Sequence, residues 1–325
     1  MGKSFVTINA KAIDFLSWLC YDSTVYFFAD QRLKMSYLYL LILVFFSGMI
    51  TVIAKLYNNK NTALEGASGL YNILYPMGAT ITYGVVYFSD FAFEPGVLFY
   101  SLLYGAFYTL FTIGLMGSIK LGVSSITALV KQTALVGVSV WGFIFFAAPV
   151  TAMAVTGVIL IIVALCLCLV EKSKAKNNER KKDLRLPLYL LLIALGNIGC
   201  PLTHKYLLLR YEGEHGYMML FFAVLISTLI LIAYSLGGTK KNWKKIALSS
   251  GYLPIFAGIS GAMTGIMQTI LLNRDMSTSI IYPALAVGGL TVTLVFSVFA
   301  FKEKLRPIQW CGIAVGCAAL VMLNV

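Results

Sequence analysis

Ten segments of mostly apolar residues, each about as long as a membrane-crossing helix, run through this chain of 325 residues. A helix needs about 20 consecutive apolar residues to cross the hydrocarbon core of a bilayer. Hydrophobic residues make up 59% of the sequence and charged residues 12%, against about 45–50% apolar residues in a soluble chain. The segments are 36–56, 67–88, 96–117, 122–145, 149–170, 187–209, 216–236, 252–272, 277–300 and 306–324. The sequence therefore predicts an all-α, multi-pass integral membrane protein with ten transmembrane helices in a lipid bilayer.

One connector between these segments is long and highly charged, and it divides the chain near its middle. Residues 171–186 read EKSKAKNNERKKDLRL, which has no apolar period and is typical of a solvated linker. We therefore expect a first five-helix repeat over 35–170 and a second over 187–325. The leader, residues 1–34, places aspartates among aromatic residues, which favours an interfacial helix over a further span.

The two halves resemble each other when the chain is shifted against itself. A shift of 155 residues aligns Gly157 with Gly312, and a shift of 150 aligns Lys55 with Lys205. Because each half has an odd number of spans, the second half must enter the membrane in the opposite sense. Such inverted repeats occur in many transporters, in which two related halves expose a midplane site to each side in turn. The sequence thus predicts a five-plus-five inverted repeat.

The formal net charge of +12 comes from basic residues in short clusters between the apolar segments. They form no basic stripe along a soluble face, so no nucleic-acid partner is predicted. Most of them fall on the membrane side that holds the 171–186 connector, which the positive-inside rule assigns to the cytoplasm. Arg32 and Lys34 flank the first span and favour the reverse orientation. We expect the membrane to be a plasma membrane of bacterial type.

Lys131 is the charged residue that the sequence places deepest in the membrane. It lies about nine residues into the fourth segment, roughly 14 Å by helical rise, where snorkelling to either surface is difficult. All 13 acidic residues, by contrast, fall in the leader or in connectors. Charged groups at this depth are costly and usually face a cavity or a partner. We therefore predict that Lys131 and its neighbour Gln132 line a substrate cavity that favours a carboxylate or phosphate.

Uncharged polar and aromatic residues within the spans complete the set of cavity candidates. Tyr104 and Tyr108 lie four residues apart and share a helix face, whereas Tyr75 and Tyr282 each precede a proline that permits a kink. Core packing is the alternative for these tyrosines, and hydrogen bonding between helices is the alternative for the amides. The amide candidates are Asn72, Asn197 and Gln268. Three basic residues near span ends are interpreted instead as reaching the headgroups: Lys55, His204 and Lys205.

A short motif marks the junction between the last two segments. The ninth ends in FKEKL and the tenth opens with PIQW, which places Glu303, Gln309 and Gly312 close together in sequence. This ending resembles the EamA-type transporters of the drug/metabolite transporter superfamily, and the duplicated ten-span layout extends the likeness over 36–325. The resemblance implies an inverted-repeat fold with a central cavity, and transport of amino acids, metabolites, nucleotide sugars or drugs. In the first half, Ala148 and Ala154 align with Glu303 and Gln309, so the motif is absent there.

Transport is predicted rather than catalysis, because the residues that catalysis needs are scarce. Two histidines and no clustered acidic residues offer little for acid/base or metal chemistry, and no Walker-type phosphate loop occurs. We therefore expect a secondary transporter without cofactor or metal, not an enzyme. Its substrate would be a small polar metabolite such as an amino acid or other organic anion, moved by alternating access. A membrane-embedded enzyme acting on a lipid-linked substrate is the alternative, and the oligomeric state is left open.

Overall fold

The computed structural model describes residues 35–62, 64–89, 91–121, 124–145, 152–169, 185–238, 240–274, 276–301 and 307–323. Over these residues the chain forms eleven α-helices joined by turns, and no strand occurs among them. In chain order the helices are α1 (Met35–Asn61), α2 (Ala67–Ser89), α3 (Val97–Lys120), α4 (Ser124–Phe145), α5 (Ala152–Leu169), α6 (Arg185–Arg210), α7 (Gly216–Leu236), α8 (Trp243–Ser250), α9 (Tyr252–Asn273), α10 (Thr278–Phe301) and α11 (Pro307–Leu323).

The helices and their surfaces suit a lipid environment. Five of them, α1, α3, α6, α7 and α9, are long and apolar enough to cross a membrane. Large apolar side chains also cover the outside of the bundle, where Val85, Phe99 and Ile144 expose 70%, 67% and 67% of their surface. Exposed apolar surface of this extent marks contact with a membrane or partner rather than with water. The chain is accordingly an all-α membrane protein.

Each of the ten predicted segments contains a helix. The clearest differences between the predicted and the observed helices lie at polar helix ends. Helix α1 continues to Asn61, beyond the predicted end at 56, because its polar last turn is held from outside. The Asn61 side-chain amide donates to the Ser250 hydroxyl at 2.9 Å, and the Tyr57 hydroxyl donates to the Ala67 carbonyl oxygen at 2.8 Å. Helix α8, which carries Ser250, was not predicted, since its eight residues are too few to register as an apolar segment.

The predicted domain boundaries fall partly outside the described residues. Helix α6 begins at Arg185, so the last two residues assigned to the 171–186 connector belong to a helix instead. The leader 1–34, the rest of that connector and Glu303 all lie outside the described residues.

Glycines allow the helices to cross with their backbones in contact. At the α2–α9 crossing, a Cβ on Gly258 would overlap the carbonyl oxygen of Tyr75, and one on Gly78 would lie 2.5 Å from the carbonyl oxygen of Ile255. At the α3–α7 crossing, a Cβ on Gly105 would lie 2.6 Å from the carbonyl oxygen of Ala223. Small residues are favoured at such crossings because helices in lipid associate through close packing rather than through a hydrophobic driving force. These crossings fix the positions of α2 and α3, which carry most of the candidate tyrosines.

Candidate functional site

A cavity of about 110 Å³ lies inside the bundle, enclosed by residues of α1, α2, α3, α4, α6, α9 and α10. We call it the deep cavity. Six of the nine predicted cavity residues line it, although they come from five different helices: Tyr75, Tyr104, Tyr108, Lys131, Asn197 and Gln268. The fold thus brings together side chains up to 193 positions apart in sequence.

Lys131 supplies the positive charge of the deep cavity. Its side chain is 4% exposed, and its Nζ donates to the hydroxyl of Thr51 in α1 at 3.4 Å. An ammonium group carries three donors, and among the described residues no carboxylate forms an ion pair with it. The Asn197 side chain of α6 donates to the Lys131 backbone oxygen at 2.5 Å, which ties α6 to the helix turn that carries the lysine. The deep cavity therefore presents an incompletely satisfied cation in an apolar surrounding.

Gln268 belongs to a hydrogen-bond network at the wall of this cavity. Its side-chain nitrogen donates to the Tyr282 hydroxyl at 3.1 Å and lies 3.4 Å from Nδ1 of His204. Nε2 of the same histidine lies 3.2 Å from the Thr269 hydroxyl. His204 is only 1% exposed, so the prediction that it reaches the headgroups is wrong: its ring points into the bundle, where both nitrogens find partners. Tyr282 is buried behind Gln268 and supports the wall without lining the cavity.

A row of tyrosine rings crosses the bundle beside the deep cavity. Tyr71 and Tyr75 are stacked with ring centroids 5.5 Å apart, Tyr75 and Tyr108 with centroids 5.9 Å apart and planes at 2°, and Tyr108 and Tyr104 with centroids 6.3 Å apart. Offset stacking at such distances is the favoured geometry for aromatic pairs. The hydroxyls of Tyr71 and Tyr108 are buried without a hydrogen-bond partner. We call these four residues the tyrosine row.

A second and larger cavity, of about 760 Å³, opens at one end of the bundle. We call it the outer cavity. The start of α2, the end of α3, the start of α6 and the end of α7 enclose it, and Lys120 and Arg185 lie in its lining. Asn72, predicted as a cavity residue, lines the outer cavity and not the deep one.

The two cavities follow one another along the same helices. On α2 the outer cavity ends at Asn72 and the deep cavity begins at Tyr75, and on α3 they meet between Ile113 and Phe111. At 1.5 Å of rise per residue, these gaps correspond to about 3–5 Å. Tyr75 and Tyr108 of the tyrosine row lie next to this boundary, on the side of the deep cavity that they line.

Two contacts between helix ends lie at the opposite end of the bundle. The Asn273 side chain donates to the Gly213 carbonyl oxygen at 2.8 Å, and the Arg274 guanidinium lies over the Tyr39 ring at 4.9 Å. These contacts join the ends of α1 and α9 to the turn between α6 and α7.

Some residues of the deep cavity were not predicted as candidates. Tyr83 lies eight positions after Tyr75 and thus on the same face of α2, a signal that the sequence contains. Its hydroxyl fills the space that a side chain at Gly265 would need. Cys200, interpreted as a packing residue, also lines the cavity, and its thiol lies 3.7 Å from the Tyr104 carbonyl oxygen. No pattern in the sequence marks it.

The remaining predicted residues are Gln132, Gln309 and Gly312. Gln132 and Gln309 belong to α4 and α11, but their side chains lie outside the described part of the chain. Gly312 is buried in α11, which packs extensively against α5.

Comparison with known proteins places the fold but not the activity. No protein family and no curated protein matches the chain, whereas 28 chains of solved structures do. One of these, described as "Crystal structure of protein", superposes with a TM-score of 0.59 over 86% of this chain and 93% of its own, at 12% sequence identity. At so low an identity the similarity shows a shared fold and carries no function.

Proposed function

We propose that this protein is a secondary transporter that carries a small polar organic anion across a plasma membrane of bacterial type. In this proposal it is related to the EamA-type transporters, and it crosses the bilayer ten times as a five-plus-five inverted repeat. The observation that carries the proposal is Lys131, a buried cation that lines a cavity and that no described carboxylate pairs with. Burying an unpaired charge is expensive, and an anionic solute would offset that cost on binding.

The other groups of the deep cavity suit the polar remainder of such a solute. Tyrosine hydroxyls, together with the side-chain amides of Asn197 and Gln268, can each donate or accept a hydrogen bond. Aromatic and aliphatic side chains fill the rest of the lining. A few oriented polar groups in a mainly apolar pocket are typical of sites for small molecules.

The pattern of helix contacts supports the inverted repeat. If α1 to α5 correspond in order to α6, α7, α9, α10 and α11, the α3–α7 pair corresponds to the α9–α2 pair, and both pairs pack extensively. The pairs α2–α7, α4–α10 and α5–α11 each join a helix to its own counterpart, and all three are in contact. The α4–α6 pair corresponds to α10–α1, where a Cβ on Gly48 would lie 2.5 Å from Val292. Packing of this kind is expected of two structurally related halves.

The two cavities suggest how alternating access would operate. The outer cavity opens on the side of the basic connectors, which is the cytoplasmic side by the positive-inside rule, while the Asn273–Gly213 and Arg274–Tyr39 contacts close the other side. Ligand pockets usually measure about 300–1,000 Å³, so the deep cavity of about 110 Å³ is too small for a whole solute. The tyrosine row must therefore move before a solute can reach Lys131.

The histidine network favours transport over the alternative of a membrane-embedded enzyme. His204 is the histidine nearest the deep cavity, and both of its ring nitrogens already lie within hydrogen-bonding distance of Gln268 and Thr269. A general base needs a nitrogen that can reach the substrate, and both nitrogens of this ring already have partners.

Flux measurements on the full chain in proteoliposomes test the proposal. Uptake of amino acids, hydroxy acids and phosphorylated metabolites would be measured with the wild type and with Lys131→Ala. A charged hydrogen-bond partner contributes about 1.5–3 kcal/mol, so flux of the anionic substrate should fall about tenfold or more at limiting concentration. Lys131→Arg, which keeps the charge, should retain part of the flux.

The matched control is Lys60→Ala, because Lys60 is an exposed lysine whose Nζ donates to the Ser249 carbonyl oxygen, away from both cavities. It should transport like the wild type. Equal flux in Lys131→Ala and Lys60→Ala would contradict the role of Lys131, and a lack of flux for every class of solute would contradict transport.

A further inference from the structure

We propose that the outer cavity is itself a binding site, and that in this conformation it takes an organic acid that also carries a hydrogen-bond donor. The inference rests on the proposed function in one respect, since it places this cavity on the path of the solute. The binding itself can be measured without any transport.

Two buried polar atoms without partners point to a ligand. The Asn72 side-chain oxygen and the Ser235 hydroxyl have no hydrogen-bond partner, and the two residues are 5% and 4% exposed. Both residues line the outer cavity, Asn72 from the start of α2 and Ser235 from the end of α7. Buried polar groups are nearly always hydrogen-bonded, so an unsatisfied pair at one cavity calls for an occupant.

The chemistry of these two atoms defines one part of the ligand. A side-chain amide oxygen accepts hydrogen bonds and cannot donate them, while a hydroxyl can do either. A simple carboxylate ion offers only acceptors and would leave the Asn72 oxygen unsatisfied. The ligand must therefore carry a donor, such as a hydroxyl or ammonium group.

The charges around the cavity define the other part. Lys120 and Arg185 contribute two positive charges to the lining and Glu65 one negative charge. The Glu65 carboxylate already lies 3.6 Å from Nζ of Lys241, so Lys120 alone gives the lining an excess of positive charge. An anionic group of the ligand is thus favoured here, as it is beside Lys131 in the deep cavity.

The size of the cavity agrees with this role. Its volume of about 760 Å³ lies within the usual range for small-molecule sites, about 300–1,000 Å³. Because the outer cavity ends at the tyrosine row, a solute bound there would lie next to the barrier that it must pass. The structure then corresponds to a state in which solute is held before the row opens.

Protection of an introduced cysteine from alkylation tests the inference. Gly237→Cys places a thiol in the lining, where an added Cβ meets nothing nearer than 3.6 Å. The full chain in detergent would be treated with a maleimide, and modification at residue 237 would be read by peptide mass spectrometry. The probes are matched acids that differ in one hydroxyl group: malate against succinate, and lactate against propionate.

We expect the acids with a donor to protect the thiol at about tenfold lower concentration than their partners, which is the effect of one hydrogen bond to a buried acceptor. Asn72→Leu should remove this difference, and Ser235→Ala should reduce it. Lys120→Gln should weaken protection by both members of each pair. Asn59→Leu and Lys60→Gln, at exposed positions in α1, are the matched controls and should behave like the Gly237→Cys parent.

Equal protection by both members of each pair, no protection by any acid, or an unchanged difference in both Asn72→Leu and Ser235→Ala would overturn the inference. Ser235→Ala keeps the test valid if Asn72→Leu fails to fold. The result is separable from the transport proposal, because Lys131→Ala should lower flux about tenfold or more and leave protection at residue 237 unchanged. Protection without flux for any solute would support the binding site and contradict the transport function. Flux without protection would support transport and contradict the binding site.

Discussion

Replacing Gly258 with alanine tests how closely α2 and α9 must approach for the deep cavity to form. A Cβ at this position would overlap the Tyr75 carbonyl oxygen and lie 2.9 Å from the Ala79 nitrogen. Both atoms belong to the backbone of α2, so no change of side-chain conformation can relieve the contact. Since non-bonded atoms pack at about 3.5–4 Å, the two helices must separate by about 1 Å.

The expected cost follows from two opposing effects. Overpacking of this kind costs about 2–3 kcal/mol when the backbone has to move, and the better helix propensity of alanine returns about 1 kcal/mol. Gly258→Ala should therefore destabilise the protein by about 1–2 kcal/mol. Because the affected carbonyl belongs to Tyr75, the stack of this ring on Tyr108 should be disturbed as well, and flux should fall with stability.

The assay is the loss of monodisperse full-length protein on heating in detergent, at a fixed heating rate because unfolding of such proteins is commonly irreversible. Gly137→Ala is the matched control, since a Cβ there meets only the side chain of Ile198, at 3.6 Å. It should be at least as stable as the wild type. The reasoning about the crossing would be refuted if Gly258→Ala proved as stable as Gly137→Ala.

Two further substitutions examine the ends of the bundle. Asn61→Ala removes the buried side-chain contact with Ser250 and leaves that hydroxyl with its bond to the Ile246 carbonyl oxygen. It should lower stability by about 1–3 kcal/mol in the same heating assay, and an unchanged midpoint would contradict this. Asn273→Ala removes the bond to Gly213, and a hydrogen bond contributes about 1 kcal/mol. Labelling of Cys200 by an impermeant maleimide from the amino-terminal side should therefore rise about fivefold. Equal labelling of Asn273→Ala and Asn59→Ala would mean that this contact does not close the bundle.

Length and hydropathy were sufficient to predict where the long helices lie, because a run of about 20 apolar residues is typical of a membrane-crossing helix. They could not predict α8, whose eight residues expose Leu248 and bury Ile246. Nor could they predict the end of α1, which depends on the contact between Asn61 and Ser250, 189 positions away. Such ends are fixed by tertiary contacts that leave no local pattern.

The candidate site was predictable to the extent that burial of a polar group is costly. Lys131 stood out for this reason, and the four-residue spacing of Tyr104 and Tyr108 placed them on one face. Position along a span, however, does not reveal which way a side chain points. His204 was misinterpreted because its position near a helix end was taken to mean that its side chain reaches the membrane surface. Asn72 and Tyr75 also share a face, yet the fold places them in the linings of two different cavities.

The contacts between helices indicate which parts of the proposed transporter would move. Helices α4, α5, α10 and α11 contact one another and form one group, while α2, α3, α7 and α9 are linked by the extensive α2–α7, α2–α9 and α3–α7 contacts into another. Helix α6 packs against both α3 and α4 and so joins the two groups. Each group contains helices from both halves of the sequence, so the moving bodies would not be the two repeats.

The deep cavity lies between these two groups, and each supplies a different part of its chemistry. Lys131 belongs to α4 in the first group, whereas Tyr75, Tyr104 and Tyr108 belong to α2 and α3 in the second. Sliding of one group past the other would therefore change the distance between the cation and the hydroxyls. An anion bound to both would favour the arrangement in which they lie close together, and a ligand can shift such an equilibrium only through a difference in affinity of this kind. A substrate that carries both an anionic group and a donor, as the outer cavity also requires, would couple its own binding to the movement that transports it.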